Sequence, residues 1–143
     1  MNRENAVAVA SAGTGGIVKA DLKDRLIEFA RSASIEITPH EKETLGVLTR
    51  RLPAGTAVYV THTPNTTIAE VADVACAVEG SGFRAYPHIV ARRIENEASL
   101  LAALDRLKDA GVTRAMLVAG DLSTPAGAFA STLDILDSGL LVS

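Results

Sequence analysis

Four short apolar runs, each followed by a helical stripe, constrain the fold of this chain more than any other feature. The runs span six to eight residues each: SIEITP (34–39), TAVYVT (56–61), FRAYPHIV (83–90) and AMLVAG (115–120). Behind each run, apolar residues recur at helical spacing, as Leu45, Leu48 and Leu52 do after the first. Strands that alternate with helices indicate βαβ units and a parallel sheet. We therefore expect an α/β fold built of parallel βα repeats.

The segment before the first run predicts a leader and an amphipathic helix. Leu22, Leu26 and Phe29 have helical spacing. The glycines of AGTGGIVKA resemble a dinucleotide-binding fingerprint, but Val18 stands where its third glycine should be, and the GK[ST] of a P-loop is missing. The predicted organisation is a flexible leader over 1–18 and a single domain over 19–143, which comprises a leading helix and four βα units.

Composition and charge exclude several classes of function. The chain of 143 residues has 14 basic and 17 acidic side chains, a formal net charge of −3, which argues against a nucleic-acid-binding protein. Cys76 is the single cysteine, so an intramolecular disulfide is excluded. The apolar runs are far shorter than the ~20 residues of a membrane span, and the first residues do not read as a signal peptide. We expect a cytoplasmic protein with no membrane partner, and the spacing of the histidines predicts no metal site.

Polar and ionisable side chains collect at or near the ends of the predicted strands. Right-handed crossovers place the carboxyl ends of parallel strands on one edge of the sheet, where such folds bind ligands. The residues at these ends are Glu36, Thr61, His62, His88, Gly120 and Asp121. The sequence therefore predicts one shared site at this edge.

The two carboxyl groups of this set, and His88, each have an alternative interpretation as structural residues. Glu36 lies between Ile35 and Ile37, and burial there would keep its carboxyl protonated, as a general acid requires. Alternatively, Glu36 faces solvent from an edge strand with period-2 alternation. Asp121 either points into the shared site, or only turns the chain or caps the next helix. His88 could likewise be a hydrogen-bonded histidine of the core.

Four motifs together resemble a known family. SIEITP, VYVTHTPN, AYPHIVA and LVAGDLSTPAG, in this order and spacing, are similar to the first half of methylenetetrahydrofolate reductase, a flavin-bearing (β/α)8 barrel. The resemblance runs from about Ser34 to about Leu136. It implies that the repeats are the first half of a TIM-type (β/α)8 barrel.

The resemblance also implies a site and a reaction. Glu36 matches the glutamate that protonates the folate substrate, Thr61 and His88 match flavin contacts, and Gly120 and Asp121 match the Gly-Asp pair beside the flavin ring and the pterin. The implied cofactor is FAD, reduced by NAD(P)H. The implied reaction is reduction of 5,10-methylenetetrahydrofolate to 5-methyltetrahydrofolate.

The sequence departs from the family at several positions. Ile37 and Thr38 replace aromatic residues, His62-Thr63 replaces Tyr-Gly, and Ala119 replaces the arginine before Gly-Asp, which removes a positive, multi-donor group.

The length of the chain is a further departure, since a (β/α)8 barrel typically has about 250 residues. The chain is therefore expected to be a fragment of a full barrel, or to be completed by a second copy or another chain. Two alternatives stay open: a non-catalytic folate- or flavin-binding partner subunit, and a stand-alone flavodoxin-like α/β domain.

Overall fold

The computed structural model describes residues 14–141, and the chain divides into two compact units, residues 1–32 and 33–143. The first unit contains helix α1 (Thr14–Arg31). This helix starts inside the segment predicted to be a leader, and positions 1–13 of that segment lie outside the described residues. Within α1, the predicted apolar stripe is exposed: Leu22, Leu26 and Phe29.

The second unit contains the predicted alternation of strands and helices. A strand β1 (Ile35–Ile37) leads through a 3₁₀ helix (Pro39–Thr44) into α2 (Leu45–Arg51), and the next repeat is β2 (Ala57–Val60) with α3 (Ile68–Gly80). The third repeat is β3 (Arg84–Val90), a 3₁₀ turn (Ala91–Arg93) and α4 (Glu97–Asp109), and the fourth is β4 (Met116–Val118) with α5 (Thr132–Asp137). The α/β class predicted from the sequence is confirmed.

The four strands form one parallel sheet in the order β1-β2-β3-β4. Glu36 pairs with Tyr59, which pairs with Tyr86, and His88 pairs with Met116. A flavodoxin-like sheet has its first strand between the second and the third, in the order 2-1-3-4-5. The sequential order observed here differs from that alternative and is compatible with half of a barrel.

Pro87 lies in the middle of the interior strand β3, where a missing N–H would ordinarily break a ladder. The pairing of β3 with β2 reaches as far as Pro87, and its pairing with β4 starts at His88. The proline therefore stands where β3 changes its partner. Its ring is fully buried, so it contributes packing at this point.

The hydrophobic core lies on one face of the sheet. Alternate strand residues Val58, Val60, Ala85 and Ile89 are buried there with apolar residues of α3 and α4, which include Val71, Ala75, Leu100 and Leu107. Because successive strand side chains point to opposite faces, the residues between them share the other face. Those side chains are half-buried or exposed: Glu36, Tyr59, Thr61, Tyr86, His88 and Met116.

Polar side chains define where the helices begin. Thr38-Pro39 followed by Glu41 predicts a helix start from the sequence, and the structure confirms it: Glu41 Oε2 accepts from the backbone N–H of Thr38 at 2.8 Å. Thr67 and Glu70 make the same reciprocal cap at α3. Across residues 14–141, none of the helices is both long and apolar enough to span a bilayer.

Candidate functional site

Three of the predicted site residues share one face of the sheet. Glu36 is in register with Tyr59, and Thr61 lies two residues further along the same chain segment. His88 lies two residues beyond Tyr86, the next partner in that row. Since side chains two residues apart point the same way, Glu36, Thr61 and His88 all face away from the helical core. The backbone N–H of Thr61 donates to Ile37 O at 2.9 Å, which extends the hydrogen bonding between β1 and β2 one residue beyond β2.

Two polar atoms on this face are buried and lack a hydrogen-bond partner among the described residues. They are Thr61 Oγ1 and His88 Nε2, on adjacent strands. Leaving such a group unpaired costs about 1–3 kcal/mol, so buried polar atoms in native proteins nearly always have a partner. The pair therefore marks a place where a ligand or another chain can supply hydrogen bonds.

Two tyrosines support the histidine ring. The ring of His88 meets that of Tyr59 edge-on, with centroids 5.8 Å apart and an interplanar angle of 64°. Tyr59 in turn stacks on Tyr86 at 4.9 Å. Both are favourable aromatic geometries. They pack against the imidazole ring without using the hydrogen-bonding capacity of its Nε2 atom, which lacks a partner among the described residues.

Glu36 is exposed on this face. The sequence left two positions open for it, and the structure has the solvent-facing one, because β1 is an edge strand of the sheet. Its neighbours Ile35 and Ile37 point to the core face instead. For Glu36 to lie in a closed pocket, further polypeptide must cover this face.

The backbone at Gly120 accepts only glycine. Its φ is +94°, in the left-handed region, and a Cβ built there would lie 2.6 Å from Val90 Cγ1. Glycine alone avoids both the backbone strain and the clash. The chain that follows β4 therefore passes close to the end of β3 immediately before Asp121.

Asp121 forms an ion pair that the sequence did not predict. Arg93 Nη2 donates to Asp121 Oδ1 at 2.6 Å, and the side chain of Arg93 is 10% exposed while that of Asp121 is 81% exposed. Arg93 is the last residue of the 3₁₀ turn that follows β3, so it lies at the same sheet edge as Asp121. A basic residue in the connection that follows a predicted strand is the signal in the sequence that could have revealed this ion pair.

The neighbouring Arg92 fixes the loop that follows Asp121. Its Nε donates to Ala130 O at 2.8 Å and its Nη1 to Leu122 O at 2.7 Å. Gly127 in the same loop lies so close to the backbone of Ile94 and Glu95 that a Cβ would collide with their carbonyl oxygens. The β4–α5 loop is therefore held against the β3–α4 connection.

His62 belongs to the opposite face and is separate from this group. It is 3% exposed, and its Nε2 lies 3.1 Å from Thr66 O, within the β2–α3 loop. Burial lowers the pKa of His62; the hydrogen bond to Thr66 and the charge of Glu70 oppose this change, while the charges of Arg93 and His88 reinforce it. His62 therefore favours its neutral form.

No protein-family model matches this sequence. Residues 14–141 contain no group of three or more His, Cys, Asp or Glu side chains placed to hold a metal ion. The candidate site consists of Thr61, His88 and Glu36 on one face of the sheet, and of Gly120 and Asp121 at the carboxyl ends of the strands.

Proposed function

We propose that this chain is the flavin-binding half of a methylenetetrahydrofolate-reductase-like oxidoreductase, with the fold of the first half of a (β/α)8 barrel. The observation that carries the proposal is the pair of buried, unpartnered atoms Thr61 Oγ1 and His88 Nε2. Both residues match flavin contacts of the family that the sequence resembles. The sequential, parallel strand order supports the barrel reading.

The residues present fit a flavin. A flavin ring system offers carbonyl and ring-nitrogen acceptors as well as an N–H donor, which a hydroxyl and an imidazole nitrogen can satisfy. Thr61 and His88 would bind this polar edge, and Gly120 would permit close approach of the backbone. When bound, FAD would supply hydride transfer from NAD(P)H to the substrate.

Glu36 and Asp121 would act on the folate. Glu36 would donate a proton to a folate nitrogen, which opens the methylene bridge and leaves an iminium carbon that accepts the hydride. Asp121 would accept hydrogen bonds from the N–H groups of the pterin and orient it. The product would be 5-methyltetrahydrofolate.

A second candidate function follows from the exposure of Glu36. General acids work best where water is excluded and their protonation is tuned. A chain whose Glu36 stays exposed would be a folate- or flavin-binding partner subunit without activity of its own. In either case further polypeptide would supply the remaining strands, since closed barrels of this type have eight. That polypeptide would be more of the same chain, a second copy or another chain.

Flavin titration tests the proposal directly. The purified 143-residue chain, with any polypeptide that stays bound under native conditions, is titrated with FAD while flavin fluorescence and absorbance are followed. Thr61→Val and His88→Phe should each weaken binding by about two- to tenfold, because each removes one hydrogen bond. Thr49→Val is the matched control, since Thr49 is exposed on α2 and bonds only its own helix. Absence of FAD binding by the wild type would refute the flavin assignment.

The two candidate functions differ in the outcome of Glu36→Gln. Glutamine nearly keeps the shape and hydrogen bonding of Glu36 but cannot donate a carboxyl proton. Stopped-flow measurement should show the folate half-reaction slowed by about 10²–10⁴-fold, while reduction of the flavin by NAD(P)H continues. Unchanged folate reduction would remove Glu36 from the mechanism, and absence of any folate reduction in the wild type would favour the binding subunit.

A further inference from the structure

The pairing of Arg93 with Asp121 joins the connections that follow β3 and β4, and the two residues are 28 positions apart in the chain. Nine-tenths of the Arg93 side chain is buried, whereas most of the Asp121 side chain is exposed. The guanidinium is therefore the fixed partner of the two. An exposed carboxylate held by a buried cation has a defined position, although exposed pairs contribute little to stability.

Arg93 also faces an open space at this edge of the sheet. It lines a cavity of about 270 Å³, together with residues 66–69 at the start of α3 and Ser99 of α4. Its guanidinium has five N–H donors, of which one bonds Asp121. The positive charge of Arg93 therefore borders an open cavity beside the proposed site, rather than being enclosed in the hydrophobic core.

We infer that Arg93 is a positioning residue for Asp121 and supplies the positive charge that Ala119 does not. The inference rests on the proposed function. The family's arginine would stand at position 119, just after β4, whereas here a guanidinium reaches Asp121 from the connection that follows β3. Arginine suits this role because its planar fork is always charged and binds carboxylates in a fixed geometry.

The electrostatic consequence concerns the reduction of the flavin. Reduction adds negative charge to the ring system, which a nearby carboxylate opposes and a nearby guanidinium favours. Arg93 would partly neutralise Asp121 and so keep the flavin easier to reduce than the carboxylate alone would allow. Removing each partner should therefore shift the midpoint potential in opposite directions.

Arg92 offers a matched control. It is the adjacent arginine and holds the same loop, but it donates its hydrogen bonds to the carbonyl oxygens of Leu122 and Ala130. Loss of Arg92 should loosen the loop without removing the partner of Asp121. A purely structural role of Arg93 would make the two arginine variants behave alike.

The first experiment measures the midpoint potential of bound FAD in the native assembly. Arg93→Gln should lower the potential, Asp121→Asn should raise it, and the double variant should lie between them. Arg93→Lys should restore most of the wild-type value because it keeps the charge. An Arg93→Gln potential equal to that of the wild type, or of Arg92→Gln, would overturn the inference.

The second experiment needs no flavin. Urea unfolding of the wild type, Arg93→Gln, Asp121→Asn and the double variant gives the coupling between the two side chains, expected to be about two- to fivefold in the unfolding equilibrium constant. Absence of coupling overturns the ion pair even if FAD binds. Coupling in a chain that binds no FAD supports the pair as the anchor of Asp121 and refutes the proposed function instead.

Discussion

At Gly120 two independent constraints exclude every side chain. The φ of +94° is a conformation that L residues rarely adopt, and Val90 Cγ1 occupies the place of a Cβ. Sequence alone shows only a glycine before an aspartate, which a simple turn would explain equally well. The structure adds the close approach of the β3 end, and this contact determines where Asp121 leaves the sheet.

Gly120→Ala should destabilise the fold by about 1–3 kcal/mol, since it combines left-handed backbone strain with overpacking against Val90. Urea denaturation measures the change. Gly46→Ala is the control, because Gly46 lies within α2 and a Cβ there meets nothing within 4 Å. That variant should be stabilised by about 0.5–1 kcal/mol. Equal effects of the two substitutions would contradict the steric argument.

His62 should make stability depend on pH. Its pKa is lowered from the ordinary value of 6.5, chiefly by burial, so the folded chain binds the proton less readily than the unfolded chain. Its contribution to the free energy of unfolding is therefore complete above the unfolded pKa and is lost as the pH falls through the folded one.

The test compares the pH dependence of urea unfolding from about pH 7.5 to about pH 5. The wild type should lose more stability over this range than His62→Gln, which has no imidazole to protonate. His40→Gln serves as the control, since His40 is exposed. Arg93→Gln should raise the pKa of His62, because the charge of Arg93 lowers it. Parallel pH profiles for the wild type and His62→Gln would show that protonation of His62 does not cause the pH dependence of stability.

At the scale of elements, caps and close backbone contacts decide where helices and loops lie. Helix α3 begins with the reciprocal bonds of Thr67 and Glu70, and its buried residues follow at helical spacing. Helical spacing after the last strand predicts an apolar stripe of Phe129, Leu133 and Leu136, and this prediction is wrong in part. Phe129 is buried but precedes α5, whereas Leu133 and Leu136 are exposed and Ile135 is the buried residue of that helix.

Thr67→Ala should destabilise the chain by about 1 kcal/mol, because the threonine side chain accepts from the N–H of Glu70 and the helix loses that bond. Thr67→Ser keeps the hydroxyl and should stay close to the wild type. Thermal unfolding followed by circular dichroism checks both variants. A Thr67→Ser variant as unstable as Thr67→Ala would show that the methyl group, not the cap, matters.

At the scale of the whole molecule, the second unit has a sheet with two edge strands and one core face. β1 and β4 each pair with a single neighbour. The face opposite the core includes the stacked tyrosines and Met116, which is 45% exposed. Soluble proteins generally cover such edges and faces. We therefore propose that further polypeptide covers the open sheet.

Sedimentation at micromolar concentration should show the isolated chain associating rather than remaining a monomer. Met116→Lys should weaken this association, because a charge on the open face of β4 is costly to bury. Leu133→Lys is the matched control, since Leu133 is 64% exposed on α5. A well-folded wild-type monomer would contradict the need for a covering partner.

The sequence by itself determined the elements of this protein. Hydrophobic periodicity and capping residues act over a few neighbouring positions, so the βα alternation, the parallel sheet and the cap at Thr38 and Glu41 could all be predicted. The same local rules brought Glu36, Thr61 and His88 to one sheet, because strand ends of parallel units meet at one edge.

Only the tertiary structure decided which partners these side chains have. The pair between Arg93 and Asp121 depends on how two connections pack, and no periodic pattern encodes a contact 28 residues apart. The exposure of Glu36 depends on β1 being an edge strand, and the unpartnered atoms of Thr61 and His88 depend on the burial of each atom by several elements at once. These are properties of packing in three dimensions, where residues distant in the chain set the surroundings of each group.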